Sequence, residues 1–368
     1  DVAVTKTFAE TLRTEYDAAT GENLGALIES ASTNLCTGSE NIILGTAFSM
    51  NATSVTTNAS IAPDGTISAE KLIPTAVDDT HSITVTQNTI NSPSTAAVSF
   101  YVKPAGYNFF SIGSGQTSSE FATFDLQSGT ISQTGSLTNE SDCSIKPVGN
   151  GFYRVSVTLR PSASGTTYSG AIPSGALGWR PSFTGDGVSG VYVWGAQFEA
   201  LPFASSYIRT EGSAVSRSSD NLNIDGNSSI PEGGQDLTVS IDVSMNDAYN
   251  HQSYSKLFRL DGQPLYMQSY ATSINHWMVF TNGVTLQLEP NISSGVTHSF
   301  ATTYTSSKIA SYFNSVETGA ITTFTPTFYN RNSTLSLGAS GSSQHIDGHI
   351  SKFSTYAQAL TQQEITLL

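Results

Sequence analysis

Bond-breaking needs acid, base or nucleophile side chains brought together, and sugar binding needs flat aromatic faces beside polar groups. Glu199 ends the apolar run "GVYVWGAQFEA" at 190–200. A carboxylate at that place either accepts hydrogen bonds at a sandwich edge or helps hold a structural Ca²⁺, an ion that takes oxygen ligands. The structural role outweighs the metal. Asp78-Asp79-Thr80-His81 offers the residue types of a metal cluster or an acid/base pair, but reads better as a solvated turn entering a strand. The histidines, His81, His251, His276, His298, His345 and His349, show no H-E-x-x-H or other ligand spacing. His345 and His349 are four apart on a turn and a strand, without the helix that would put them on one face. A glycosidase needs two carboxylates about 5 to 9 Å apart, whereas Asp and Glu fall mostly in turns here. No catalytic constellation emerges, so the chain is expected not to be an enzyme.

The aromatic residues offer a second kind of chemistry. Trp179 lies in the Gly/Pro-rich stretch "GALGWRPSF" beside Arg180, and its loop setting predicts an exposed ring. Tyr107 follows Gly106 at a loop edge with Phe109 and Phe110 close behind, and Trp277 sits between His276 and Met278 beside a hairpin. Trp179, Arg180, Tyr107 and Trp277 are the candidate glycan contacts. The plainer alternative for an aromatic in a sheet protein is core packing, and Trp194 is read that way.

Strands must position these residues. Short strand-like runs bounded by Gly, Asn, Asp and Ser recur about every 8–12 residues, the all-β signature. "GFYRVSVTLR" (151–160) puts Tyr153, Val155, Val157 and Leu159 on a core face, and in "GVYVWGAQFEA" alternation predicts Tyr192, Trp194, Ala196 and Phe198 inside. "DLTVSIDVSM" points Leu237, Val239, Ile241 and Val243 inward. Asp261-Gly262 and Asn282-Gly283 are dipeptides of tight hairpins. "TQQEITLL" is the one helical turn, with Thr361 as N-cap and Glu364 three residues on. Large apolar residues thin out between 212 and 236, which sets a domain boundary there.

Composition supports the same class. The 368 residues are 38% hydrophobic and 10% aromatic, enough for two cores, with only 12% charged. The formal charge of −14 argues against nucleic acid, whose binders are rich in Lys and Arg, and against charge-driven docking on anionic membrane. No run of apolar residues is long enough to span a bilayer. No basic-then-apolar leader opens the chain, and Asp1 is consistent with a piece of a longer polypeptide. Cys36 and Cys143 are either an oxidised pair or two free, partly buried thiols.

The stretch "YDAATGENLGALIESASTNLCTGSE" (16–40) resembles a signature of phage and prophage virion proteins through Tyr16, Asp17, Thr20, Gly21, Leu24, Gly25, Leu27, Ile28, Glu29, Thr33, Asn34, Leu35, Ser39 and Glu40. "APDGTISAEKL", "SFYVKP", "VGNGFYRVSVT", "GVYVWGAQFEA" and "SSYIRTEGSAVSRSSD" follow in the family's order. The resemblance covers roughly residues 13 to 220 and implies a jelly roll similar to carbohydrate-binding modules, of the kind in head spikes, head fibres and tail fibres. Ser32 departs from it, standing where an Arg is usual, which implies a missing surface ion pair. The second half resembles a laminin-G/concanavalin-like sandwich through "THSFATTYTSSKIASYFNSVETG", with His298 and Asn314, and through Ile350, Tyr356, Leu360, Glu364 and Ile365 of the closing pattern.

The expectation is therefore an all-β chain with two β-sandwich (jelly-roll) domains in tandem. Residues 1–30 form an N-terminal connecting segment, 31–220 a carbohydrate-binding-module-like jelly roll, 221–235 a linker and 236–368 the laminin-G/concanavalin A-like sandwich. The resemblance implies a virion-surface, extracellular adhesion protein whose partners are other virion proteins and host surface polysaccharide. A homo-oligomer, with a trimer favoured, is expected; nucleic acid and membrane insertion are not. The alternatives are a purely architectural fibre or capsid-decoration protein and, last, a polysaccharide-degrading enzyme or its accessory module.

Overall fold

The computed structural model describes residues 13–17, 20–41, 48–85, 95–114, 120–136, 142–160, 168–172, 178–225, 236–245, 255–260, 265–270, 273–281, 284–288, 292–293, 295–321, 334–339 and 345–368, with backbone alone at some strand positions. The chain is nearly all β and divides into two compact units, residues 32–217 and residues 1–31 with 218–368. Each unit has its own hydrophobic core.

Two six-stranded antiparallel sheets build the 32–217 unit. One runs in the order Cys143–Pro147, Tyr153–Leu159, Ala96–Ala105, Gly190–Glu199, Ile67–Pro74 and Thr53–Ile61. The other runs Thr130–Thr134, Phe121–Asp125, Phe109–Ser114, Tyr168–Ala171, Ser82–Val85 and Phe48–Asn51. The core holds Phe100, Phe110, Phe124, Phe198, Val155, Val157 and Leu159. Phe100 meets Phe110 edge-on with ring centroids 5.5 Å apart, the geometry that aromatic quadrupoles favour. Cys36 and Cys143 are free and both buried; burial pushes the Cys36 thiol up to about 11.

Tyr153–Leu159 alternates as its sequence predicts, with Val155, Val157 and Leu159 at most 1% exposed. Gly190–Glu199 does not alternate throughout. A β-bulge between Trp194 and Gln197 breaks its register with Ala96–Ala105, and a bulge's extra residue reverses the parity beyond it. Val191 and Val193 therefore enter the main core before the bulge, and Ala196 and Phe198 after it. Tyr192 and Trp194, expected inside with Ala196 and Phe198, lie on the opposite face, where Trp194 joins a small cluster with Tyr101, Phe152, Ala62 and Ala69. Gly195 makes the bulge with φ +60°, and a Cβ there would lie 2.7 Å from the Tyr101 ring, so a side chain is excluded both by conformation and by space.

The other unit pairs a seven-stranded sheet with a six-stranded one. The first runs Thr14–Tyr16, Asn23–Ile28, Gly348–Tyr356, Leu237–Met245, Thr297–Tyr304, Ile309–Phe313 and Val316–Ile321. The second runs Leu222–Asp225, Thr334–Leu337, Lys256–Leu260, Leu265–Tyr270, Ser273–Thr281 and Val284–Leu288. Leu237, Val239, Ile241 and Val243 face its core, as alternation predicts. Two segments that read as connecting in the sequence supply strands here. Asn23–Ile28 pairs with Gly348–Tyr356, and Leu222–Asp225 pairs with Thr334–Leu337. Their partners lie more than a hundred residues away, so local composition carried no sign of the pairing.

The dipeptides Asp261-Gly262 and Asn282-Gly283 lie outside the described residues, but their flanks pair as hairpins, Leu260 with Leu265 and Thr281 with Val284. Asn314 and Ser315, at φ 46° and 65°, turn the chain between Phe313 and Val316. Thr361 caps the short helix Gln362–Ile365 in a full capping box with Glu364.

Candidate functional site

Glu199 is fully buried and ends its strand inside a lattice of hydrogen bonds. Its Oε1 accepts from the Ser32 hydroxyl and from the Ser205 hydroxyl at 2.5 Å. Its Oε2 accepts from the Gln197 amide at 2.8 Å and from the Ser205 N–H at 3.0 Å. Four donors thus converge on one carboxylate, two of them N–H groups that present positive polarity to the place a cation would take. This arrangement is a hydrogen-bonded edge carboxylate and does not fit a Ca²⁺ site. Among the described residues no group of His, Cys, Asp and Glu is placed to hold a metal.

The same lattice accounts for the motif residues around it. The Asn34 amide donates to the carbonyls of Ala196 and Ile208, and its Oδ1 accepts from the N–H groups of Cys36 and Phe198. Gln197 accepts from the Ile208 N–H at 2.7 Å. Ser39 meets Tyr207 at 2.7 Å and Thr210 at 2.8 Å, and the Thr210 hydroxyl donates to the Cys36 carbonyl. These bonds clasp the start of the module, 32–41, to its end, 196–211. Ser32 is only 5% exposed and belongs to this interior, so the missing surface ion pair expected there is corrected: a serine hydroxyl meets Glu199 instead.

The other sequence candidates separate. Trp179, expected exposed, is only 7% exposed, stacked on Phe121 at 6.0 Å with Ala171 alongside. A ring packed in this way offers no open face to a sugar, and its loop setting misled because Gly113 leaves the room it fills. Arg180 lies over the Trp179 ring at 5.3 Å and is half-buried. Tyr107 is half-buried against the main core and meets Phe183 edge-on at 5.5 Å; burial chiefly, and then Asp186, raises its phenol pKa. The Trp277 backbone pairs with Ser269 and Leu288, and its ring lies outside the described residues.

The turn 78–81 is part solvated and part buried. Asp78 and Asp79 are exposed and pair as a short strand with Phe183–Thr184, whereas His81 is 1% exposed with its ring nitrogens at the carbonyls of Ala52 and Phe183. His345 and His349 have different partners, the Asp220 carbonyl and the Glu15 carboxylate. His298 accepts from the Ser293 N–H at 3.0 Å and stacks on Phe313; burial lowers its pKa.

One arrangement escaped the sequence reading because the bulge at Gly195 hides its parity. On the outer face of the sheet that contains Gly190–Glu199, cross-strand register places Tyr192 opposite both Lys71 and Lys103. The next row on the same face sets Trp194, Tyr101, Arg154 and Lys146 side by side. The Lys103 ammonium lies 5.5 Å from the Phe152 centroid and 5.7 Å from that of Tyr192, and the Arg154 guanidinium lies 5.4 Å from that of Tyr101. Trp194, Tyr101 and Phe152 are buried, while Tyr192, Lys71 and Lys103 are half-buried and Lys146 is exposed. A rigid aromatic floor with cations at its rim is suited to a polar ligand that has apolar C–H faces.

Residues 216–366 match the family model described as the concanavalin A-like lectin/glucanases superfamily. No curated protein matches the chain. Among solved structures it is similar to domain 4 of AbnA, a GH43 extracellular arabinanase from Geobacillus stearothermophilus, in complex with arabinotriose. The identity is 21% over 42% of this chain and 74% of that one, with a TM-score of 0.30. A SAP-like pentraxin from Limulus polyphemus is 14% identical over 37% of this chain and 70% of that chain, with a TM-score of 0.28. Botulinum neurotoxin type C, whose cell entry depends on two ganglioside molecules, is 12% identical over 43% and 40%, with a TM-score of 0.31.

Proposed function

We propose that this chain is a glycan-binding adhesion protein whose two β-sandwich units act without cleaving their ligand. The observation that carries the reading is the match of residues 216–366 to a family described by its lectins and glucanases. Between those two activities, side-chain geometry favours binding. Glycoside cleavage needs one carboxyl group free to give its proton to the leaving oxygen, yet among the described residues the buried carboxylates of Glu199, Asp142, Glu29 and Asp347 are engaged with protein donors. Glu199 is held as described, Asp142 by both arms of the Arg160 guanidinium, and Glu29 and Asp220 by Arg13. The motif resemblance of residues 13–220 to virion proteins extends the proposal: the chain is a distal part of a phage head or tail fibre, displayed outside the cell and assembled with other virion proteins, a trimer being the favoured state. Many copies on one particle would turn weak single-site binding into avidity.

The architectural alternative has an observation of its own, since the recognisable motif residues 32–41 and 196–211 form a clasp rather than a cleft. A glycan array probed with the chain displayed multivalently on beads decides between the two. Retention on a defined class of glycan supports adhesion, and silence across the array overturns it in favour of protein contacts alone.

A further inference from the structure

We infer that the outer face carrying Lys71, Tyr192 and Lys103 is a binding site for acidic, carboxylate-bearing saccharides. The inference rests on the glycan-binding reading above and names the ligand class of one of its surfaces.

The chain carries a formal −14 with few basic residues, yet Lys71, Lys103 and Lys146 are all the lysines between residues 32 and 217, and register puts every one of them on this face. Arg154 joins them opposite Lys146. The six strands of the sheet contain two carboxylates, Glu70 and Glu199. Glu70 sits opposite Val193 and so belongs to the inner face, and both oxygens of Glu199 are occupied by the clasp. Among the described residues Lys71 donates only to the Val188 carbonyl, at 2.9 Å, and Lys103 has ring contacts but no acceptor. Among the described residues these ammonium groups have no anionic partner.

Tyr192 lies between Lys71 and Lys103 in one cross-strand row, so the two lysine backbones stand two strand spacings apart, about 10 Å. Its hydroxyl has no hydrogen-bond partner among the described residues. Trp194 and Tyr101, packed edge-on at 5.2 Å, and the buried Phe152 fix the floor under this row, which lowers the ordering cost of binding. A sugar ring could lie with its C–H face against Tyr192 while its carboxylate meets an ammonium in a charge-assisted hydrogen bond. A neutral saccharide would use the ring and leave the lysines idle, so charge complementarity selects the acidic class. A nucleic acid would share the anionic chemistry, but this face offers phosphates only Lys71, Lys103, Lys146 and Arg154, whereas duplex binders are rich in Lys and Arg; retention on duplex DNA but on neither acidic polymer would overturn the inference.

The test is binding of the full chain to immobilised polygalacturonate and polysialic acid, with fully methyl-esterified polygalacturonate and dextran as uncharged probes. The expected result is retention on at least one acidic polymer and loss of binding to the methyl ester, which keeps the backbone and removes the charge. The double variant K71E/K103E should bind at least about tenfold more weakly, and Tyr192→Ala should also weaken binding. Lys71 and Lys103 are rim residues, so the double variant should melt with the wild type, and a melting scan checks this. Binding to uncharged polymers alone, or undiminished binding by K71E/K103E, overturns the acidic site and leaves the glycan reading standing. Silence on all four polymers overturns the inference, and silence across the wider array overturns both.

Discussion

Replacing Glu199 by alanine would leave the Ser32 hydroxyl and the Ser205 N–H without their acceptor in a fully buried place and leave the Ser205 hydroxyl and the Gln197 amide only their longer bonds to the carbonyls of Ser205 and Ser206. Unsatisfied buried donors cost about 1–3 kcal/mol each, so the 32–217 unit should lose about 3 kcal/mol or more in a urea titration. Because the site is made of donors, adding Ca²⁺ to the wild type should leave its melting temperature unchanged. Lys256 bears a different kind of burial. It lies 4.7 Å from the Tyr266 centroid, donates to Gln268, and is brought down to about 8, chiefly by burial and then by Arg259. The unfolded chain keeps its proton up to the ordinary 10.5, so between pH 8 and 10.5 the unfolded state binds more protons than the folded one and stability rises with pH. The Lys256→Met variant should lack that rise, which parallel melts of variant and wild type across the window will show. Of these residue roles, the strand-end position of Glu199 was legible in sequence as an edge carboxylate. Its partner Ser32, 167 residues earlier, was not, because no local pattern encodes a contact at that distance.

At the scale of the element, alternation located the core faces of Tyr153–Leu159 and Leu237–Met245 and failed within Gly190–Glu199. The failure has one cause, the bulge at Gly195, which changes the parity of a strand without changing its apolar composition. The aromatic–cation face was invisible for the same reason, since alternation assigns Tyr192 and Trp194 to the main core, whereas Trp194 is buried, as read, in the separate cluster of the opposite face. Glycine at 195 is therefore a prediction of its own. Alanine there would have to hold a positive φ and crowd the Tyr101 ring. That should cost about 2 kcal/mol or more in denaturant unfolding and shift the Trp194 fluorescence, whereas a glycine in open space such as Gly187 sets the scale for conformational strain alone. The Thr361 capping box shows the opposite case, a local signal that was fully legible because both halves of it lie three residues apart.

At the scale of the whole molecule, composition and periodicity conveyed the class, all-β with two cores, but not the strand exchange along the chain. Residues 1–31 share a unit with 218–368, and the 32–217 module closes on itself through Ser32–Asn34 paired with Val215–Arg217. A module whose ends pair is expected to fold when expressed alone as residues 32–217. Removing residues 1–31 should lower the melting of the unit that they form with 218–368, because Asn23–Ile28 covers the edge of Gly348–Tyr356 and Gly25 admits the Ile350 carbonyl so closely that no Cβ would fit. The melting of the 32–217 unit should be unaffected. Calorimetry of the truncated and full chains would show one transition displaced and one in place.

The proposed binding without cleavage is tested most directly by the chain length of a retained polysaccharide. The purified full chain would be incubated with the acidic and uncharged polymers named above, the bound fraction recovered, and its size distribution compared with the input by gel filtration. The account predicts a retained fraction of undiminished length. Shortened polymer in the bound fraction would contradict it.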